Sequence, residues 1–177
     1  LEAIRHWQAV RRLLSEVSES PETVSLGTAA CLWILNLEWR VWLPEEEIAQ
    51  VFEHGKALAE RSGDLTTRAR LLYVYGSAVF IGPGRYREAL AALEEALALV
   101  EKTGDLEHRV VLHHRLSYLL SLMGNPAETL VVVERGLALA QGNIQLGAEW
   151  VGYSPCLLML GMRARSLMLM GRLAEAS

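Results

Sequence analysis

Histidine, cysteine and acidic side chains are the usual material of a metal or nucleophile site, and here the histidines gather once, at His108, His113 and His114. Two imidazoles grip one ion from a helix when they sit four apart; spacings of five and six place these on different faces, and no cysteine lies nearby. Asp105 and Glu107 suit a helix cap and a first-turn acid, which leaves the three histidines as structural or surface residues. Ser154, Cys156 and Ser166 have no histidine that the sequence brings to them as a base. Ile81-Gly-Pro-Gly-Arg85 lacks the preceding strand and the Lys-Ser/Thr of a phosphate loop, so it reads as a turn. Glu45-Glu46-Glu47 follow Pro44 and point in different directions around a helix; they complement its dipole rather than converge on a cation. No catalytic residue, no metal ligand and no cofactor is expected.

The apolar chemistry points the same way. Trp33, Trp39 and Trp42 could stack a base or a sugar, but aromatics at this spacing more often pack helix on helix. Met159, Met162, Met168 and Met170 could form an adaptable surface, although core packing in a long apolar helix suits them better. Of the 177 residues 51% are hydrophobic and 21% charged, with a net charge of −4, which excludes a field that would draw in nucleic acid or anionic lipid. Cys31 and Cys156 lie far apart in apolar runs, as two reduced core thiols of a cytoplasmic protein would. No signal peptide is visible, and the most apolar run, Pro155 to Met170, is interrupted by Arg163 and Arg165, so no membrane span is expected.

The elements that position these residues repeat. ARLLYVYGSAVFIGPGRYREALAALEEALALVEKTGD and VVLHHRLSYLLSLMGNPAETLVVVERGLALAQGN each give an apolar helix, a Gly/Pro turn, a second helix and a closing glycine. Gly84 and Gly124, Ala89 and Thr129, and Ala96 and Gly136 are all separated by 40 residues, while Gly124 and Gly171 are separated by 47. Internal repetition near this period signals a solenoid of helical hairpins. The expectation is an all-α, right-handed superhelix of antiparallel helical hairpins with about seven helices, forming a single domain over 1–177. Residues 1–17 form the second helix of a preceding repeat. Hairpins follow at about 22–63, 65–103, 106–141 and, incomplete, 153–177, with 144–152 less regular. Gly55 falls in step with Ala96 and Gly136, where a large side chain would push two crossing helices apart. With Leu1 in place of an initiator methionine and LAEAS at its close, the chain reads as a piece of a longer protein.

A solenoid supplies surface. By the repeat register, the first helix of each hairpin places Arg70, Tyr73, Ser77 and Phe80, then His114, Tyr118 and Ser121, then Arg165 and Met168 on the concave face. Arginine and aromatics dominate binding hot spots, so this face is the candidate docking site for a protein or peptide segment or a neighbouring domain. Greasy repeat ends also make a homodimer through those ends an expected partner.

These residues resemble the tetratricopeptide repeat (TPR). Gly76, Gly84, Ala89 and Ala96 match one copy; Ser117, Gly124, Thr129 and Gly136 match the next; Ala164, Gly171 and Ala176 match a third. The longer period and the absence of the signature tryptophan and proline depart from the usual repeat. SESPETVSLGTAACLWILNLEWRVWLPEEEIAQVFEHGKALAERSGDL and LGAEWVGYSPCLLMLGMRARSLMLMGRLAEA look like the region that follows the ATPase in multidomain bacterial nucleotidyl cyclases. That resemblance implies a class III adenylate/guanylate cyclase domain and an AAA/STAND-type ATPase ahead of these repeats, which then act as a non-catalytic regulatory scaffold. Three alternatives stay open: the effector-sensing repeats of a STAND/LuxR-type transcriptional activator, a small-ligand-binding helical receptor with a closed apolar pocket, and a self-contained enzyme, which would need a cluster of titratable groups with perturbed pKa values in a cleft.

Overall fold

Local signals set the helix starts. Ser20 accepts a hydrogen bond from the Thr23 backbone at 3.3 Å while the Thr23 hydroxyl accepts from the Ser20 backbone at 2.8 Å, a reciprocal cap. Asp105 accepts from the His108 backbone at 3.1 Å, and Ser154 from the Leu157 backbone at 3.2 Å, each satisfying an amide that has no partner within its helix. Turn glycines do the stopping: Gly63, Gly84, Gly124 and Gly171 all have φ between 70° and 79°, the left-handed region that side chains avoid.

The computed structural model describes residues 2–38, 41–81 and 84–176, and nothing of the side chains of Phe80 and Ile81. Among these residues every regular element is helical: α1 Glu2–Leu14, α2 Pro21–Leu37, α3 Glu45–Ser62, α4 Leu65–Ile81, α5 Tyr86–Thr103, α6 Leu106–Leu122, α7 Pro126–Ala140, α8 Ala148–Val151 and α9 Pro155–Leu169, then a 3-10 turn at Leu173–Glu175. Eight of the nine run for 13 residues or more, one above the expected count of about seven. The extra short helix, α8, lies in the stretch whose sequence has no period.

The chain folds as two compact units, with the boundary between Leu99 and Val100 inside α5. In the first, α2 packs on α1, α3 and α4 around Ala30, Cys31, Ile34, Val51, Leu71 and Leu93, none of them more than 0% exposed. Gly55 on α3 sits in a wedge: a Cβ there would lie 2.8 Å from Cys31 Cβ on α2 and 2.9 Å from Leu71 Cδ2 on α4. Phe52 stacks on Tyr75 with centroids 3.9 Å apart, and the Tyr75 hydroxyl donates to the Glu88 carboxylate.

One buried group works against this unit. Glu38, 3% exposed at the end of α2, has its carboxyl pushed up to about 6 by burial. A raised acid is protonated in the fold before it is in the unfolded chain, so its cost is absent below about pH 4.5 and complete above about pH 6. Glu38→Gln is therefore expected to stabilise the protein by about 1–2 kcal/mol at pH 8 and by nothing at pH 4. Urea midpoints at the two pH values test this; an equal change at both would show that ionisation is not the cause.

In the second unit α7 and α9 pack against α6. Val110, Val133, Ala140, Cys156, Met159 and Met162 form its core. Gly136 on α7 repeats the wedge of Gly55: its Cβ would lie 2.8 Å from His113 Cβ on α6 and 2.6 Å from Met159 Sδ on α9. The small residue thus separates three helices, the partner in its own hairpin and the first helix of the next. Leu71 follows Gly55 by 16 residues and Met159 follows Gly136 by 23, and the extra seven are the longer last linker. Gly147 closes that linker at φ 80°, where a Cβ would meet Val111 Cγ2 at 2.7 Å.

Candidate functional site

The residues placed on the concave face differ sharply in what they can touch. In the first unit Arg70 is exposed, Tyr73 is only 6% exposed, and Ser77 is half-buried and donates back to the Tyr73 carbonyl at 2.8 Å. The Phe80 side chain lies outside the described residues. In the second unit His114 is 3% exposed, Tyr118 40% and Met168 59%; Arg165 is exposed and Ser121 half-buried. Tyr73 and His114 are therefore packing residues that offer a partner little area. Tyr118 and Ser121 on α6 occupy the register positions of Arg165 and Met168 on α9, which packs beside it, so these four lie on equivalent faces of neighbouring helices.

The three histidines go three ways. His108 Nδ1 lies 2.6 Å from an Asp105 oxygen, close enough for an ion pair but off the hydrogen-bonding angle, and its ring sits 4.3 Å from Trp150 of α8. His113 Nδ1 donates to the Arg109 carbonyl at 2.8 Å. The His114 ring meets Tyr153 edge-on at 5.5 Å. Burial lowers the pKa of His113, and burial with the Arg115 charge brings His114 down to about 3. Both are neutral core side chains at physiological pH. No group of three or more His, Cys, Asp or Glu among the described residues is arranged to hold a metal ion.

The thiols are held protonated. Burial pushes Cys31 up to about 11 and raises Cys156 as well, and both are free, the opposite of what activates a cysteine nucleophile. Ser154 serves as the α9 cap and donates to the Ile144 carbonyl. Trp33, read as a packing residue, is 47% exposed and stacks loosely on Trp7 with centroids 6.4 Å apart, while Trp42 is 67% exposed. Trp39 lies outside the described residues. Of the methionines, Met159 and Met162 are core and Met168 is surface. No helix among the described residues is long and apolar enough to cross a membrane.

The α9 helix carries the feature that sequence reading missed. Stepping back 47 residues, the register places Leu157, Leu158 and Leu160 at the positions of Val110, Val111 and His113. Those three are 0%, 0% and 5% exposed, covered by the elements packed on α6, whereas the leucines are 52%, 48% and 45% exposed. Leu157, Leu160, Gly161, Ala164 and Met168 recur at the spacing of one helix face, and a Cβ on Gly161 would meet nothing within 4 Å. Arg163, flanking this face, is held by Glu134 of α7 at 2.6 Å and by the Glu175 carbonyl at 3.1 Å.

The fold is that of TPR-like helical repeats. A crystal structure from Podosopora anserina, assigned to a kinesin light chain with nearly identical TPR-like repeats, superposes with a TM-score of 0.70 at 19% identity, over 99% of this chain and 81% of that one. A single-substitution form of the same protein gives a TM-score of 0.71 at 20% identity, over 99% and 80%. No protein-family model and no curated protein matches the chain.

Proposed function

We propose that this chain is a non-catalytic interaction scaffold of a larger signalling protein, working by helix-on-helix docking at the open face of α9. The observation that carries it is the contrast between three exposed leucines and their buried register counterparts on α6. The occupant is a pair of repeat helices of the same kind, because that is what covers the equivalent face of α6: α7, its hairpin mate, with small–apolar spacing at Val133, Gly136 and Ala140, and α9, the first helix of the next hairpin. Met168 and Arg165 rim the face, and Tyr118 and Ser121 extend it onto α6. The resemblance of the sequence to the repeats of nucleotidyl cyclases supports a parent with cyclase and ATPase modules. Binding on the repeats would then bias the state of the attached enzyme by preferring one of its conformations.

Two carboxylates on the α9 face, Leu157→Glu with Leu160→Glu, test this in the full-length parent. Cyclic-nucleotide output is expected to change by about threefold or more, a shift of about 0.7 kcal/mol or more in a two-state equilibrium. Unchanged output from a variant with intact helicity would sink the regulatory role. A reading frame without cyclase or ATPase modules would remove that parent and leave a free-standing adaptor. Light scattering reads the occupant: a dimer of this chain that the double variant dissociates would put a second copy in place of those helices.

A further inference from the structure

The first unit holds a second feature, unrelated to the α9 face. Where the end of α1, the start of α2 and the middle of α3 meet, a cleft of about 130 Å³ opens between Leu14, Val24 and Leu58. Gly27 makes its room: a Cβ there would lie 2.9 Å from Leu58 Cδ1 and 3.5 Å from Leu14 Cδ1. The polar wall is lopsided. Arg11, Arg61 and His54 face one carboxylate, Glu19, which already pairs with Arg61 at 3.0 Å. Arg11 reaches only the His54 ring, Nη2 to Nδ1 at 3.3 Å, and its Nε is buried with no hydrogen-bond partner among the described residues. A guanidinium beside a neutral imidazole lacks the planar acceptor that its fork is shaped to take. Burial first, then the Arg11 and Arg61 charges, hold His54 below its ordinary pKa, so the ring adds no charge of its own to the cleft.

We propose that this cleft binds a carboxylate carrying a short branched aliphatic tail, the carboxylate beside the Arg11 and Arg61 guanidinium groups and the tail between Leu14, Val24 and Leu58. One monoanion brings Arg11, Arg61 and Glu19 to neutrality. At 130 Å³ the cleft is well below the ~300 Å³ of pockets for drug-sized ligands, so it fits one residue-sized fragment. A free branched-chain acid and the C-terminal leucine of a peptide present this same chemistry. The proposal does not depend on the α9 docking face.

The test is NMR of the His54 ring in the intact chain, titrated with 4-methylpentanoate and, as the uncharged control, 4-methylpentanamide. Saturable shifts with the acid alone are expected, with a Kd on the order of 1 mM for so few atoms, together with a rise in the His54 titration midpoint. Arg11→Gln should weaken binding about tenfold or more, the loss expected for a charge-assisted contact. N-acetyl-glycyl-leucine and its C-terminal amide separate the sources: tighter binding of the peptide acid points to a chain terminus, tighter binding of the free acid to a metabolite-sized ligand. Equal shifts from acid and amide, no shift from either, or unchanged affinity in a folded Arg11→Gln would overturn the proposal. Should that variant unfold, the acid-against-amide comparison on the native chain still decides.

Discussion

Gly136→Val is expected to cost the unit built on α6, α7 and α9 about 3 kcal/mol or more, the upper end of overpacking losses. Helix propensity alone argues the other way, since glycine in a helix interior is about 1 kcal/mol worse than alanine. Space decides against propensity. A Cβ at Gly136 would come within 2.6 Å of Met159 Sδ and 2.8 Å of His113 Cβ. The thioether can swing aside, but the His113 Cβ is one bond from the α6 backbone, so α7 must retreat and open the seam along Val110 and Val133. Valine adds two further methyls that the seam cannot take. Gly161→Ala makes the same kind of change where nothing lies within 4 Å. There propensity is unopposed and a gain of about 0.5–1 kcal/mol is expected. Urea unfolding followed by far-UV circular dichroism measures both; two substitutions of the same sign would contradict the packing account.

That pair also shows what the sequence could reveal. Gly55 and Gly136 stood out by their spacing alone, because the crossing of the helices admits only a small residue there and the requirement returns with every repeat, as Ala96 at the position between them shows. The turn glycines were legible for the same reason: a positive φ is a demand on a single residue. Burial depth was not. The register puts Tyr73 and His114 on the face of a first helix, but their coverage depends on neighbours remote in sequence, and both are packed away. The exposed face of α9 escaped notice because its leucines look like core residues until their register counterparts on α6 are seen to be covered. The Arg11 cleft has no local signature at all. Arg11 and His54 stand 43 positions apart, and only the convergence of three helices at Gly27 brings them together. Residues 148–151 carry no period, so the short helix that delivers Trp150 to His108 was invisible.

Acidification should weaken the second unit steeply, and the first less, because there His54 has the same sign of slope but Glu38 the opposite one. His114 titrates near 3 in the fold against an ordinary 6.5, with burial the main cause, and His113 is lowered as well. Both rings are neutral in the native unit, and each takes up a proton on unfolding once the pH drops below about 6.5. Their stabilising contribution is thus complete above that pH and is lost as the pH falls toward the native value. Each ring contributes a slope of up to about 1.4 kcal/mol per pH unit. By pH 5 His114 alone removes about 2 kcal/mol, and His113 adds to it. The charges around His113 do not reverse the sign: Arg109 and Arg135 lower its pKa further, and the Arg109 carbonyl and Glu101 offset only part of the desolvation. Glu38 in the first unit has the opposite slope, since its burial cost disappears between about pH 6 and pH 4.5. Urea titrations from pH 7.5 to pH 5 should show more than one proton taken up as the second unit unfolds, about one of them by His114, with Trp150 as its reporter. His114→Gln should reduce the uptake by about one proton. A midpoint that stays flat over this range would mean that the two imidazoles already reach solvent in the native state, and that α6 does not bury them against α7 and α9.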